Sequence, residues 1–140
     1  TYIYYIHSLK MAQTQKVSNE NNINDVDSEG YTDFIRAVEN NDIKKVKQLL
    51  EIKGIDLEIM TDDSEYPEYG HTALSIATYK HNYEIVKLLI EKGANKNHKS
   101  RNDIEMFDND GYSYERCITV FETILEMATR IGNQYIILLL

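Results

Sequence analysis

The stretch Tyr69–Asn97 constrains the fold of this chain most, because two other segments repeat its pattern. Thr72 can cap a short first helix, and apolar residues then recur at the three- and four-residue spacing of an amphipathic second helix. Gly93 follows that second helix, and glycine readily adopts the left-handed conformation that ends helices. Two helices this short cannot bury their apolar faces alone, so the pattern predicts a helix pair that stacks on similar pairs.

Two imperfect copies flank this stretch. Gly30-Tyr31-Thr32 aligns with Gly70-His71-Thr72, and a third copy begins near Thr123, which has the capping-box spacing to Glu126. The alignment puts Gly132 and His81 at equivalent positions in the turn between helices. We therefore predict a repeat domain over 27–140, with repeats near 27–58, 68–98 and 111–140, the last incomplete. Residues 1–26 are predicted to be a flexible or weakly ordered N-terminal segment.

This pattern resembles the ankyrin repeat, whose signature is glycine, any residue, Thr-Pro-Leu-His, any residue and alanine, then a second helix ending in Leu-Leu and Gly-Ala-Asp. Gly70–Ala77 carries the best match, followed by Leu88-Leu89 and Gly93-Ala94-Asn95. The resemblance implies an all-α helical solenoid with long loops between its repeats. The family's proline and histidine are replaced in all three copies, so we expect less firmly started first helices and no buried histidine network. The replacing residues are Asp33, Ala73 and Ile124 for proline, and Ile35, Ser75 and Glu126 for histidine.

Two insertions lengthen the repeats beyond the family period of about 33 residues, since Gly30, Gly70 and Gly111 are 40 and 41 residues apart. The first insertion, Ile55–Tyr69, is acidic and contains no lysine or arginine. The second insertion, His98–Phe121, has a turn signal at 109–111 (Asn-Asp-Gly) followed by aromatic and β-branched residues. That sequence predicts either a short β-hairpin or a flexible loop.

Composition excludes several functions. A net charge of −8 without a sizeable basic stripe argues against nucleic acid or an anionic membrane as the partner. The single cysteine, Cys117, allows no internal disulfide and fits a reducing compartment. We expect a cytoplasmic protein, located in host cytoplasm or nucleus if its source is a virus or an intracellular bacterium.

One alternative is a calcium site in the loop that begins at Asp25. Oxygen-bearing residues stand at the first, third, fifth and ninth loop positions (Asp25, Asp27, Glu29 and Asp33), and Gly30 is at the sixth. The twelfth position needs a bidentate glutamate, however, and Arg36 occupies it. This position argues against calcium and for the start of a repeat.

No arrangement of residues suggests catalysis or a bound cofactor. Cys117 has no neighbouring base in the sequence, and His71, His81 and His98 are not at metal-ligand spacings. We therefore expect no enzyme activity, no metal, no cofactor and no small-molecule substrate.

The resemblance instead implies protein binding, through residues around the loops that precede each first helix and through the exposed side of those helices. The resemblance implies these partner-binding residues in the first two repeats: Ser28, Glu29, Tyr31, Glu39, Asn40, Glu68, Tyr69, His71, Tyr79 and Lys80, with Arg130 and Ile131 as their counterparts in the third repeat. To these we add Asp62, Asp63 and Tyr66 from the acidic first insertion. Acidic residues among tyrosines favour a partner with a basic or amphipathic surface. We further expect Tyr66, Tyr69 and Tyr79 to contribute more than any single acid.

A further alternative is a noncatalytic repeat region of a larger enzyme or host-directed effector.

Residues 136–140 (Ile-Ile-Leu-Leu-Leu) form an apolar end, whereas repeat arrays need a polar terminal face to stay soluble. We therefore expect that the chain is a fragment or that further repeats follow.

Overall fold

The computed structural model of the protein describes residues 22–61, 69–107 and 113–140. Within these ranges the chain forms three helix pairs and one antiparallel hairpin. The helices are α1 (Asp33–Glu39), α2 (Ile43–Leu50), α3 (Ala73–Tyr79), α4 (Tyr83–Glu91), α5 (Ile124–Arg130) and α6 (Gln134–Leu139), and the strands are β1 (Lys99–Phe107) and β2 (Ser113–Thr123). None of these helices combines the length and the apolar character needed to cross a membrane.

A threonine caps the first helix of each pair. The Thr32 hydroxyl accepts from the Ile35 amide at 3.1 Å, and Thr72 does the same for Ser75 at 3.3 Å. Thr123 forms the predicted capping box with Glu126, whose carboxylate accepts from the Thr123 amide at 2.7 Å. The predicted caps at Thr72 and Thr123 are therefore confirmed, and these helices begin at a hydroxyl although they lack the family's proline.

The turn inside each helix pair contains one residue in the left-handed conformation. Asn41, His81 and Gly132 hold φ angles of 56°, 58° and 71°, so the predicted equivalence of His81 and Gly132 is confirmed. The next residue then caps the second helix, because its side-chain oxygen accepts from the backbone amide three positions further on. This residue is Asp42 in the first pair, Asn82 in the second and Asn133 in the third. This arrangement reverses the chain within three residues and sets each second helix against its first.

Apolar residues from all three pairs share one core. α1 packs on α3 and α3 on α5, while α2 packs on α4 and α4 on α6. The core residues include Phe34, Val38, Val46, Leu74, Ala77, Ile85, Leu89, Ile124, Ala128 and Ile136. Six helices stacked as pairs in chain order, with one small sheet, are consistent with the predicted helical repeat fold.

The second insertion is a hairpin, longer than the short one that the sequence predicts. β1 pairs with β2 from Lys99 opposite Thr123 to Phe107 opposite Ser113, with one irregularity between Glu105 and Phe107. The flexible-loop alternative is therefore wrong for the residues of these two strands. Polar residues at the start of β1 give little strand signal by themselves, because strand formation there depends on their partners across the hairpin, which are residues 119–123. The predicted turn at 109–111 lies outside the described residues.

Candidate functional site

A groove of about 780 Å³ opens along the first helices and the loops that precede them. Among the described residues, the second helices α2, α4 and α6 contribute nothing to its lining. The lining residues are Tyr31, Glu39, Thr61, His71, Ile76, Tyr79, Lys80, Arg101, Asn102, Asp103, Ile104 and Arg130. The groove therefore crosses all three helix pairs and has the hairpin strand β1 as one wall.

Three residues form a row across the groove: Glu39, Tyr79 and Arg130. Each is the last residue of a seven-residue first helix that begins after a threonine cap, so the three positions are structurally equivalent. Because α1, α3 and α5 pack side by side, neighbouring members of the row are expected at the usual separation of packed helices, about 8–10 Å. The row runs from an acid through an aromatic ring to a base.

Arg130, at one end of the row, is held by a buried carboxylate. Its Nε donates to Glu122 Oε2 at 3.0 Å, and Asn102 Nδ2 donates to Glu122 Oε1 at 3.0 Å. Glu122 is 6% exposed, and its hydrogen bond raises the pKa of the Arg130 guanidinium above its ordinary value. The helix end and the hairpin are thereby joined, and the orientation of Arg130 in the groove is fixed.

The exposed face of β1 adds a second charged pair to the groove. Arg101 lies 3.2 Å from Asp103, and the hydroxyl of Thr119 on β2 donates to Asp103 at 2.7 Å. The guanidinium and the carboxylate both line the groove. This wall is consequently polar, with both signs of charge present.

The hairpin is attached to the first insertion through Gly70. The Gly70 carbonyl contacts the His98 ring nitrogen Nε2 at 2.8 Å and accepts from the Ser100 hydroxyl at 3.4 Å. A Cβ on Gly70 would lie 2.3 Å from the Thr61 carbonyl oxygen, which is too close for any other residue. The absence of a side chain therefore lets Thr61 of the first insertion approach the residues just before α3, where Thr61 N donates to His71 O at 2.9 Å.

The predicted site residues divide into three groups. Tyr31, Glu39, His71, Tyr79 and Lys80 line the groove together, and so does the third-repeat counterpart Arg130. Glu29, Asn40 and Tyr69 lie outside its lining. Asp62, Asp63, Tyr66 and Glu68 lie outside the described residues.

The two described tyrosines that we expected to contribute most have different surroundings. Tyr79 is 57% exposed in the groove. The ring of Tyr69 instead packs against Phe121 of β2, with 4.4 Å between ring centroids. Tyr69 thus links the first insertion to the hairpin, which gives it a structural contact that the sequence did not predict.

The loop considered for calcium is organised around a cation of its own chain. Arg36 Nε donates to Asp27 at 2.7 Å, and Arg36 Nη2 donates to Glu29 at 2.6 Å. Hydrogen bonds from the Tyr31 amide and from Arg36 lower the pKa of Asp27. Two of the four carboxylates that a calcium ion would need as ligands therefore accept from a guanidinium. No cluster of His, Cys, Asp and Glu suited to a metal ion occurs in the described parts of the chain.

Sequence reasoning missed one wall of the groove. Arg101, Asn102, Asp103 and Ile104 come from β1, and Thr61 and Ile76 were also not predicted. The available signal was the β-branched run 118–120 (Ile-Thr-Val), which is typical of a strand. In a hairpin such a strand has to pair with residues before the turn, and those residues include 101–104.

Comparison with known proteins agrees with this architecture. A family model of ankyrin repeats, comprising three copies, matches residues 4–100, more than half of the chain. The ankyrin repeat and SAM domain-containing protein 6 of Rattus norvegicus is 33% identical over 107 residues, covering 73% of this chain and 11% of that protein. A putative ankyrin repeat protein of Rickettsia bellii is 30% identical over 100 residues, covering 71% of this chain and 14% of that protein. The predicted resemblance is confirmed, and the chain belongs to the ankyrin repeat family.

Proposed function

We propose that this chain is a noncatalytic protein-binding module whose partner lies in the groove. Ankyrin repeats are in general protein–protein interaction modules. The observation that carries the proposal is the groove itself, which brings together the ends of three first helices and the wall formed by β1. A surface assembled from successive repeats is how repeat proteins present an extended binding face.

The lining favours an amphipathic partner. Ile76, Tyr79 and Ile104 offer apolar contact area, and a tyrosine gives a large contact at low entropy cost. Charges of both signs surround them, with Glu39 and Asp103 against Lys80, Arg101 and Arg130. Such a lining suits a segment with mixed charges better than one that is uniformly basic.

A peptide-display selection with random sequences tests this proposal without a known partner. Peptides enriched on the wild-type chain are measured against Tyr79→Glu and against the matched control Tyr83→Glu, whose tyrosine is 44% exposed on α4 outside the groove lining. We expect Tyr79→Glu to weaken binding about tenfold, as for a central aromatic contact, and the control to leave it unchanged. Enriched peptides that bind Tyr79→Glu as tightly as wild type would contradict the proposal.

A second candidate is that this module is the repeat region of a larger enzyme or effector and recruits partners for another domain. The chain spans only 11% and 14% of the two curated relatives, and the name of one of them includes a SAM domain. Detection of the native protein with an antibody raised against the repeats tests this candidate. A native mass well above the 16.3 kDa of this chain supports it, and a mass near that value contradicts it.

A further inference from the structure

We propose that the groove selects an extended segment with a basic side chain at one end, an apolar side chain in the middle and a carboxylate at the other end. This inference rests on the proposed function, because it names the class of segment that the same groove binds. It is carried by the row Glu39, Tyr79 and Arg130, whose members end three adjacent helices and all line the groove.

The spacing expected for the row from helix packing matches one backbone conformation. Packed helices lie about 8–10 Å apart. A polyproline II segment has three residues per turn and rises about 3.1 Å per residue, so every third side chain faces the same way at intervals of about 9 Å. A segment in this conformation that crosses the three helices therefore directs its first, fourth and seventh side chains at successive members of the row.

The acidic end of the row is available for a cation. Glu39 forms no ion pair with any residue that the structure describes. Tyr31, which belongs to the same first repeat, also lines the groove. Glu39 is half-buried, and a carboxylate that has no ion pair with a described residue is a direct partner for a lysine or arginine side chain. A basic residue of the bound segment thus belongs at this end.

The opposite end is suited to a carboxylate. Glu122 occupies Nε and Nη2 of Arg130, whereas the remaining amino group, Nη1, donates to no residue in the described ranges. Lys80, next to Tyr79, likewise forms no ion pair with a described residue. The Arg130 guanidinium, whose Nη1 donates to no described residue, and the Lys80 ammonium line the same groove, and both can donate to an acidic side chain of the segment.

The middle of the row favours an apolar side chain. Tyr79 is 57% exposed there, and Ile76 of the same helix lines the groove one turn earlier. Covering these two side chains removes apolar surface from water, which is favourable in proportion to the area covered. The segment therefore carries its apolar residue between the two charges.

Four terminally blocked heptapeptides test the charge assignment. All have leucine at the fourth position and proline at the second, third, fifth and sixth, which favours polyproline II. Their first and seventh positions carry lysine and glutamate, glutamate and lysine, two lysines, or two glutamates. Affinities for the full chain are measured from amide chemical shifts. Of the two peptides that carry one lysine and one glutamate, we expect the one whose direction fits the row to bind about fivefold more tightly than either the two-lysine or the two-glutamate peptide.

A charge-reversal variant and its control complete the test. Glu39→Lys should switch the preference to the peptide with two glutamates by about fivefold, whereas Glu91→Lys on α4, which makes the same change in net charge outside the groove, should leave the preference unchanged. Equal affinities for all four peptides, no binding by any of them, or an unchanged preference in Glu39→Lys would each overturn the inference. The proposed function would still stand if display-selected peptides lose binding to Tyr79→Glu.

Discussion

The side chain of Asn133, in the turn of the third helix pair, donates to His81 in the turn of the second, with 3.2 Å between Nδ2 and Nδ1. Asn82 makes the equivalent contact with Asn41 one pair earlier. Because the Asn133 side-chain oxygen accepts from the Ile136 amide at 3.1 Å, its nitrogen has to face His81. One asparagine thereby caps its own helix and joins it to the preceding repeat.

Substitution of Asn133 separates these two contributions. Serine caps helices about as well as asparagine but is too short to reach His81, so we expect Asn133→Ser to lower the free energy of unfolding by about 0.5–1 kcal/mol. Asn133→Ala also removes the cap and should cost about 1 kcal/mol more. Urea unfolding of the three proteins measures both steps. A stability of Asn133→Ser equal to that of wild type would show that the inter-repeat hydrogen bond contributes nothing.

Gly132 tests backbone strain in the same turn. Its φ of 71° is in the left-handed region, and a Cβ there would meet no atom within 4 Å, so the cost of a side chain is conformational alone. We expect Gly132→Ala to lower the free energy of unfolding by about 1 kcal/mol. Gly132→Asn should cost less, since Asn41 holds the equivalent position at a φ of 56°. Equal losses for both variants, measured by thermal unfolding, would contradict this explanation.

Gly70 is constrained for a different reason. Its φ is not positive, and a side chain is excluded because a Cβ would lie 2.3 Å from the Thr61 carbonyl oxygen. We expect Gly70→Ala to cost about 2–3 kcal/mol, more than Gly132→Ala, which serves as its control. The amide signals of Thr61 and His71, whose backbones pair at 2.9 Å, should also shift most. A cost below that of Gly132→Ala would show that the first insertion adjusts without strain.

Removal of Arg130 should expose the cost of burying Glu122. Arg130→Met leaves the carboxylate, which is 6% exposed, with the Asn102 amide as its remaining side-chain partner. We expect a loss of about 2 kcal/mol, reduced from the value for a fully buried pair because the Arg130 side chain is 32% exposed. The double variant with Glu122→Gln should recover part of this loss, since no buried charge remains. A double-mutant cycle without such recovery would contradict the explanation.

The helix pairs could be predicted from the sequence because their signals are local. A threonine before each first helix, a left-handed residue in each turn and apolar spacing along each second helix all act within about one helical turn. The resemblance to ankyrin repeats, which rests on these signals, implied Glu39, Tyr79 and Lys80 as binding residues, and all three line the groove.

The wall formed by β1 could not be predicted in the same way. Whether residues 101–104 line a groove depends on their pairing with 118–121, and that register is decided by contacts between residues far apart in the chain. The Tyr69–Phe121 contact arises from the same pairing, since it needs the hairpin to lie against the first insertion. The β-branched run 118–120 signals a strand, but neither the register of its pairing nor the Tyr69–Phe121 contact leaves a pattern within a single short stretch.

Asp27 predicts how stability changes in acid. Hydrogen bonds from the Tyr31 amide and from Arg36 lower its pKa in the folded protein below the value in the unfolded chain. The resulting stabilisation is present above the unfolded carboxyl pKa, about 4, and is lost as the pH falls through the lower folded-state pKa. Asp27→Asn should therefore be less stable than wild type at pH 7, and the difference should shrink steadily below about pH 4.

Urea midpoints from pH 7 to pH 2 measure this difference in stability. Glu91→Gln serves as the control, because it removes a carboxylate whose ion pair with Lys87 is long, at 4.0 Å. A difference for Asp27→Asn that is independent of pH would mean that the side chain acts through packing and not through its charge.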